Sequence, residues 1–267
     1  MDERSESRLL DAFINGRIGP MQADFSSSVD NEWLCLRLCN VLGLPAAQAE
    51  IMEFEDQRVL VVERFDRSIS KDGNRILRLP QEDFCQALGL PSSLKYESDG
   101  GPGTKDVFNV LNFSAKPQED KNIFLSALLF WLLRATDGHA KNFSISLLPG
   151  GKYQLTKLYD IVSTWSAIGS GPHQLKRQHL KFAMALDGKR RHWRMDRIEP
   201  QHFMSTALAG GRSNEEVTRS MLRLLEQVPQ AIEKVTKSLP DGFSSSVADK
   251  IFEGLDKSSQ ELSSKMD

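Results

Sequence analysis

Ten residues from Phe124 to Leu133, FLSALLFWLL, carry one polar side chain between them, and this run constrains the fold more than any other stretch. A helix that crosses a membrane needs roughly 20 such residues. A run half that length, apolar all round, belongs to a helix at the centre of a soluble core. The chain leaves it through RATDGHAKNFSISLLPGGKYQLTKLYDI, which places Asp137, His139, Lys141 and Asn142 within six residues. The central question is whether this is a polar connection or a reaction centre.

Composition narrows the classes. A chain of 267 residues can bury a sizeable core in one domain or two packed ones. The net charge of -2 gives no global attraction to nucleic acid or to an acidic membrane. Cys35, Cys39 and Cys85 form no C-x-x-C pair, and so sparse a set fits a reducing compartment; Cys35 and Cys39 read as core thiols on one helix face. The N-terminus, MDERSESRLL, lacks the apolar core of a secretory signal, which with the thiols predicts a cytoplasmic protein without a membrane span.

Residues 1–28 show no sustained period and are expected to be poorly ordered. A helix is predicted from Asn31 to Gly43 behind a Ser28 or Asp30 cap. Gln48 to Phe54 and Arg58 to Val62 read as a hairpin turning at Glu55-Asp56, followed by a short apolar piece at Ile76 to Leu79. Helices are then expected over 81–88, 107–113, 121–134, 201–208, 214–228 and 230–238, with a break at Pro229. Strands Phe143 to Leu148 and Tyr153 to Leu158 are joined by Pro149-Gly150-Gly151, where the glycines supply positive φ. The last 25 or so residues, rich in Ser and Lys, are expected to fray. Strands first and helices later predict an α+β fold.

Phosphoryl transfer asks a protein for a carboxylate that orients the attacking hydroxyl and for oxygen ligands to Mg²⁺. Asp137 and Asn142 have the D-x-x-x-x-N spacing of kinase catalytic loops, and the hairpin that follows returns the chain to deliver a second acid, Asp160. The spacing alone is weak because Asp and Asn are common in loops. Loop, glycine-turned hairpin and second Asp in that order form a stronger signal. On the ordinary reading Asp137 caps a turn, His139 is a solvated loop residue and Asp160 ends a strand. Lys141 is open to two readings, a cation for the γ-phosphate or an exposed loop lysine. VVERFDR, residues 61–67, is a candidate adenine wall or simply an edge strand entering a loop. GKRRHWRMDR, residues 188–197, and LKRQHLK are basic and interleaved with aromatics; they could contact phosphates of operator DNA or of a tRNA-bound target, and the favoured reading is a solvated face balanced by acidic segments elsewhere.

SVDNEWLCLRL, LVVERFDR, RLPQEDFCQALGLPSSLKYESDGGPG, ATDGHAKNFSI and LTKLYDI together closely resemble the HipA-like toxin kinases of bacterial toxin–antitoxin modules, from about Met21 to the C-terminus. The resemblance implies a protein-kinase-like fold with a mainly helical C-lobe and a truncated small-sheet N-lobe. It divides the chain into an N-terminal segment (1–28), a remnant of the N-lobe and hinge (29–80), a catalytic lobe (81–240) and a tail (241–267). It implies ATP and Mg²⁺ as cofactors, Asp137 as the catalytic residue, and Asn142 and Asp160 as metal ligands. ATP would be held by Glu63, Arg64 and Phe65 at the adenine and by His139, Ala140, Lys141, Asn142, Tyr159 and Asp160. It further implies phosphorylation of serine in a protein of the aminoacyl-tRNA synthetase class, restraint by a HipB-like antitoxin, and contact with operator DNA only through that complex.

One departure qualifies this. The family carries a Gly-rich phosphate loop and a strand lysine ahead of the SVDNE helix, whereas residues 1–28 contain neither and no Lys at all. Glu32, positioned to pair with such a lysine, is left without an evident partner. The expectation is a kinase weakened or silent unless another polypeptide supplies that half, as a truncated, split or mis-started gene would explain. The alternative is a non-catalytic remnant that binds the antitoxin or its DNA complex. A small-molecule kinase of the aminoglycoside phosphotransferase kind shares the loop and later Asp, but the QEDFCQALGLPSSLKYESDGGPG match argues against it.

Overall fold

In the computed structural model, which describes residues 17–18, 23–24, 27–55, 57–171 and 173–266, a short strand pair precedes the first helix. Strands β1 (Arg17–Ile18) and β2 (Ala23–Asp24) pair antiparallel, and helix α1 spans Ser28–Val41. The expectation for residues 1–28 lies mostly outside the described residues, as does Asp56 of the predicted turn. Two hairpins follow, β3 (Ala49–Phe54) with β4 (Gln57–Val62) and β5 (Arg67–Ile69) with β6 (Ile76–Arg78). Next come β7 (Gln81–Asp83), α2 (Phe84–Ala87), α3 (Thr104–Leu111), α4 (Pro117–Asp120) and α5 (Phe124–Leu133). Strands β8 (Ser144–Leu148) and β9 (Lys152–Leu155) join β7 in a three-stranded antiparallel sheet of order β7-β8-β9. The chain closes with the hairpin β10 (Lys181–Leu186) and β11 (His192–Arg194), then α6 (Pro200–Ala209), α7 (Asn214–Thr236) and α8 (Ser245–Ser263).

The apolar run is α5, and Leu128, Leu129, Leu132 and Leu133 have no exposed surface. Each such leucine stabilises the fold by about 1.5–3 kcal/mol relative to exposure. Helix α1 packs into the same core through Leu34, Leu38 and the buried thiols of Cys35 and Cys39. Its polar side chains serve as ties. Asn31, 1% exposed, donates to Ser163 O at 2.8 Å and accepts from Ser163 N at 2.8 Å. Asp30 pairs with Arg58 of β4 and accepts from Ser244 N, the residue that opens α8. The helix begins after Ser27 without a side-chain cap, so the predicted cap at Ser28 or Asp30 is corrected.

Three further expectations are corrected. Residues 81–88 are a strand followed by one helical turn, because Asp83 caps α2 with a reciprocal Gln86 contact and the segment before it pairs with β8. Pro229 lies inside α7 and does not break it. The buried face Val217, Met221, Leu224, Leu225, Val228, Ala231 and Val235 continues past an exposed Pro229, and that packing outweighs the ~3 kcal/mol that an interior proline costs. The tail does not fray: α8 buries Val247, Ile251, Leu255 and Leu262 at helical spacing.

Candidate functional site

Helix α5 ends on Arg134 in the left-handed region, φ +52°, which turns the chain sharply into the Asp137 loop. The Arg134 guanidinium lies buried, 4.1 Å from the Trp131 ring centre and 5.4 Å from that of Trp165. Burial, with the charge of Arg177 behind it, lowers this arginine to about 9, and the two indole faces supply part of the charge stabilisation that water no longer does. Ser163 Oγ donates to Leu133 O at 2.5 Å and Thr164 Oγ1 to Arg134 O at 2.7 Å, so the segment after Asp160 is bolted to the entrance of the loop.

Within the loop, Asn142 N donates to His139 O at 2.9 Å, and Ala140 N to Lys95 O at 3.2 Å. Tyr96 Oη donates to Asp137 Oδ1 at 2.6 Å and its ring meets His139 edge-on at 5.1 Å. Asp137 is exposed, whereas His139 is buried with Nδ1 unpartnered. Burial holds the His139 imidazole below its usual range, so it packs as a neutral ring 3.9 Å from Asp137 rather than as an ion-pair partner.

Gly138 allows the loop to lie directly on the core. A Cβ there would stand 2.3 Å from Phe130 Cε2 and 2.5 Å from Cδ2, so the buried Phe130 ring would have to shift to admit it. Gly138→Ala is therefore expected to cost about 1–3 kcal/mol. A thermal melt should show a midpoint several degrees lower, and an unchanged midpoint would contradict this contact.

The hairpin β8–β9 turns at Pro149-Gly150-Gly151, where φ is +76° and +71° at the glycines. Leu158 then forms a parallel bridge to Ala46, with Ala47 N donating to Leu158 O at 2.8 Å. This fixes Asp160, itself left-handed at φ +55°, a conformation that costs a non-glycine residue roughly 1–2 kcal/mol. Asn142 Nδ2 donates to Asp160 Oδ2 at 2.6 Å and to Asp160 O at 3.3 Å. Asn142 Oδ1 is buried and has no hydrogen-bond partner. Tyr96 and His139 both feel the charges of Asp137 and Asp160, which puts the two acids in one electrostatic neighbourhood.

The remaining candidates divide. The Phe65 ring lies 5.7 Å from the Tyr159 ring, and Tyr159 Oη donates to Lys141 O at 2.9 Å, so the 63–65 segment borders the Asp160 side. Arg64 makes a bidentate pair with Asp66 at 2.9 and 2.7 Å, and Glu63 pairs its backbone with Gln48; neither hydrogen-bonds to Asp137, Asn142 or Asp160. Lys141 donates to Asp83 Oδ2 at 2.6 Å, which makes it a bracket between the loop and the α2 cap. Tyr96 and Arg134 were missed by sequence reasoning. Tyr96 sits in a turn-rich loop 41 positions from Asp137, and only the fold brings them together.

Glu32 on α1 carries no ion pair among the described residues. Burial first, then the charge of Asp160, raises its carboxyl to about 7. Between its ordinary value of 4.5 and about 7 the folded chain holds a proton that the unfolded chain has released, so stability falls as pH rises through that window. Glu32→Gln should stabilise the metal-free protein at pH 8 by roughly 2 kcal/mol, discounted for its partial exposure, and not at pH 4. Urea denaturation at the two pH values checks this; an equal shift at both would contradict it.

Comparison with known proteins follows the same lines. The family model of the HipA-like C-terminal domain matches residues 14–235, starting earlier than Met21 and stopping short of α8. The chain is 34% identical over 224 residues to a putative kinase, Y4mE, of Sinorhizobium fredii, covering 83% of this chain and 50% of that protein. It is 34% identical over 229 residues to the serine/threonine-protein kinase toxin HipA of Shewanella oneidensis, covering 79% and 49%. Among solved structures it is similar to the Shewanella oneidensis HipA, HipB and operator DNA complex, with a TM-score of 0.77, 26% identity, and coverage of 89% of this chain and 56% of that one. The Helicobacter pylori proinflammatory kinase CtkA shares the fold alone, at 12% identity and a TM-score of 0.58, with coverage of 89% and 85%. The architecture is thus a kinase-like α+β fold, and the chain spans about half the length of the curated relatives it matches.

Proposed function

This chain belongs to the HipA-like C-terminal domain family, and on that premise we propose that it is a serine/threonine protein kinase acting as the toxin of a toxin–antitoxin pair. The observation that carries the catalytic part is the Asn142–Asp160 contact. One amide nitrogen grips the Asp160 carboxylate at 2.6 Å, while the amide oxygen is buried with no donor to satisfy it. A buried orphan acceptor beside a carboxylate fits a cation. Among the described residues no group of three or more His, Cys, Asp or Glu side chains gathers as a metal cage. The pair would form an open site of the sort Mg²⁺ occupies when substrate phosphates complete its shell. Mg²⁺ would neutralise charge on the phosphates of ATP.

The chain's own residues do the rest. Tyr96 occupies Oδ1 of the exposed Asp137, leaving Oδ2 to accept a hydrogen bond from the substrate hydroxyl and orient it. His139, neutral and buried, props the Tyr96 ring. Glu63 to Phe65 hold the adenine with Tyr159 behind it, and His139 to Asn142 line the phosphates. The partners follow the family resemblance: a HipB-like antitoxin, operator DNA through that complex, and a cytoplasmic protein substrate of the aminoacyl-tRNA synthetase class. Among the described residues no helix is long and apolar enough to cross a membrane.

A second reading, a non-catalytic form that binds the antitoxin, is favoured by Glu32, whose carboxyl is raised by burial and by the charge of Asp160 and has no cation paired to it among the described residues. Labelled ATP with a cell lysate separates the two. Transfer to serine or threonine of a protein supports the kinase. Its absence, both alone and with the remaining half of a relative added in trans, supports the second reading.

A further inference from the structure

Beside Asp137 the surface opens into a cavity of about 890 Å³. Thr136, next to Asp137 in the chain, and Tyr96, which donates to Asp137 at 2.6 Å, form one side of it. The β10–β11 hairpin and the residues around it form the other, with Lys181, Arg190, Trp193 and Arg197. The basic segment, exposed at Arg190 and Arg197 as expected of a solvated face, also lines a concavity whose far side includes Thr136, the residue before Asp137.

Its charges are of two kinds. Arg191 is neutralised by Glu97 at 2.6 Å and by Asp187, and Arg194 by Asp196 at 2.7 Å; these pairs hold the hairpin in shape. Lys181, Arg190 and Arg197 are exposed and carry no ion pair among the described residues, although Arg197 adds to the pull of Arg194 that lowers the Asp196 carboxyl. Trp193 Nε1 is buried without an acceptor. The wall therefore presents two exposed cations with no ion pair among the described residues, Lys181 and Arg190, beside Arg197, whose charge is shared with Asp196, all lining a concavity next to the Asp137 loop.

We propose that this cavity docks an acidic stretch of the protein substrate flanking the phosphorylated residue. Side-chain carboxylates meet Lys181, Arg190 and Arg197. The proposal rests on the kinase reading and names its substrate class. A short peptide fits better than nucleic acid because a few exposed cations confined to one concavity make no extended track along a phosphate backbone.

The test uses the full chain and fluorescence anisotropy with two labelled serine peptides, one flanked by Glu and one by Lys, at low salt. The acidic peptide should bind at least tenfold tighter. Arg190→Glu with Arg197→Glu should reverse the preference, with Lys181→Glu as a separate variant and thermal melts to confirm folding. Equal binding of the two peptides, binding of neither, or a preference unchanged by both variants would overturn the proposal. So would tighter, arginine-dependent binding of a single-stranded RNA of equal length. Phosphate transfer is read separately: transfer without peptide preference removes the docking proposal and leaves the kinase, whereas preference without transfer does the reverse.

Discussion

Asp137→Asn should lower phosphate transfer from ATP to protein hydroxyls by about 10³-fold, within the range a positioned general base contributes, while leaving the fold intact. The asparagine keeps an oxygen to accept from Tyr96 Oη, so the 2.6 Å contact and the edge-on packing against His139 survive. What is lost is the negative oxygen that orients the attacking hydroxyl. Because Asp137 is exposed, its replacement leaves no buried group unsatisfied, and the thermal midpoint should move little. Labelled-phosphate incorporation measures the effect. Transfer that persists near the native rate would remove Asp137 from the role assigned to it.

Asp160→Asn should have a similarly large effect by a different route. The carboxylate gripped by Asn142 is the only charge in the candidate metal pair, and removing one element of a preorganised electrostatic site costs roughly 3–4 kcal/mol, a loss of 10²–10³ in rate. The signature that separates this from Asp137→Asn is the Mg²⁺ dependence. Titrating Mg²⁺ should show the half-saturating concentration rise in Asp160→Asn and stay unchanged in Asp137→Asn. A second signature needs no catalysis. The Asp160 charge is one of the two causes that raise Glu32, so without it the fall in stability between pH 4.5 and 7 should shrink. An unchanged metal requirement would contradict the assignment.

Local order within the site was legible because the loop, the glycine turn and the second acid are consecutive in sequence, and β8–β9 returns the chain much as the pattern predicts. What was not legible depends on distant partners. Tyr96 reaches Asp137 across 41 positions, and Lys141 reaches Asp83 across 58. Nothing in either neighbourhood signals the contact. The hairpin β10–β11 was missed because its strands are separated by an irregular register and a basic turn that reads as solvated surface. The errors at Pro229 and in α8 have one cause: composition was weighed above period. The apolar spacing of Val247, Ile251, Leu255 and Leu262 is helical, and the serines and lysines between them mark only the outer face.

The most direct test of the central claim, that Asn142 and Asp160 form a metal-assisted nucleotide site beside Asp137, is calorimetric titration of the chain with ATP in the presence and absence of Mg²⁺. The account predicts a saturable heat with one nucleotide per chain that requires Mg²⁺ and is lost in Asp160→Asn. No heat at millimolar Mg²⁺-ATP, or a heat indifferent to both Mg²⁺ and Asp160, would contradict it.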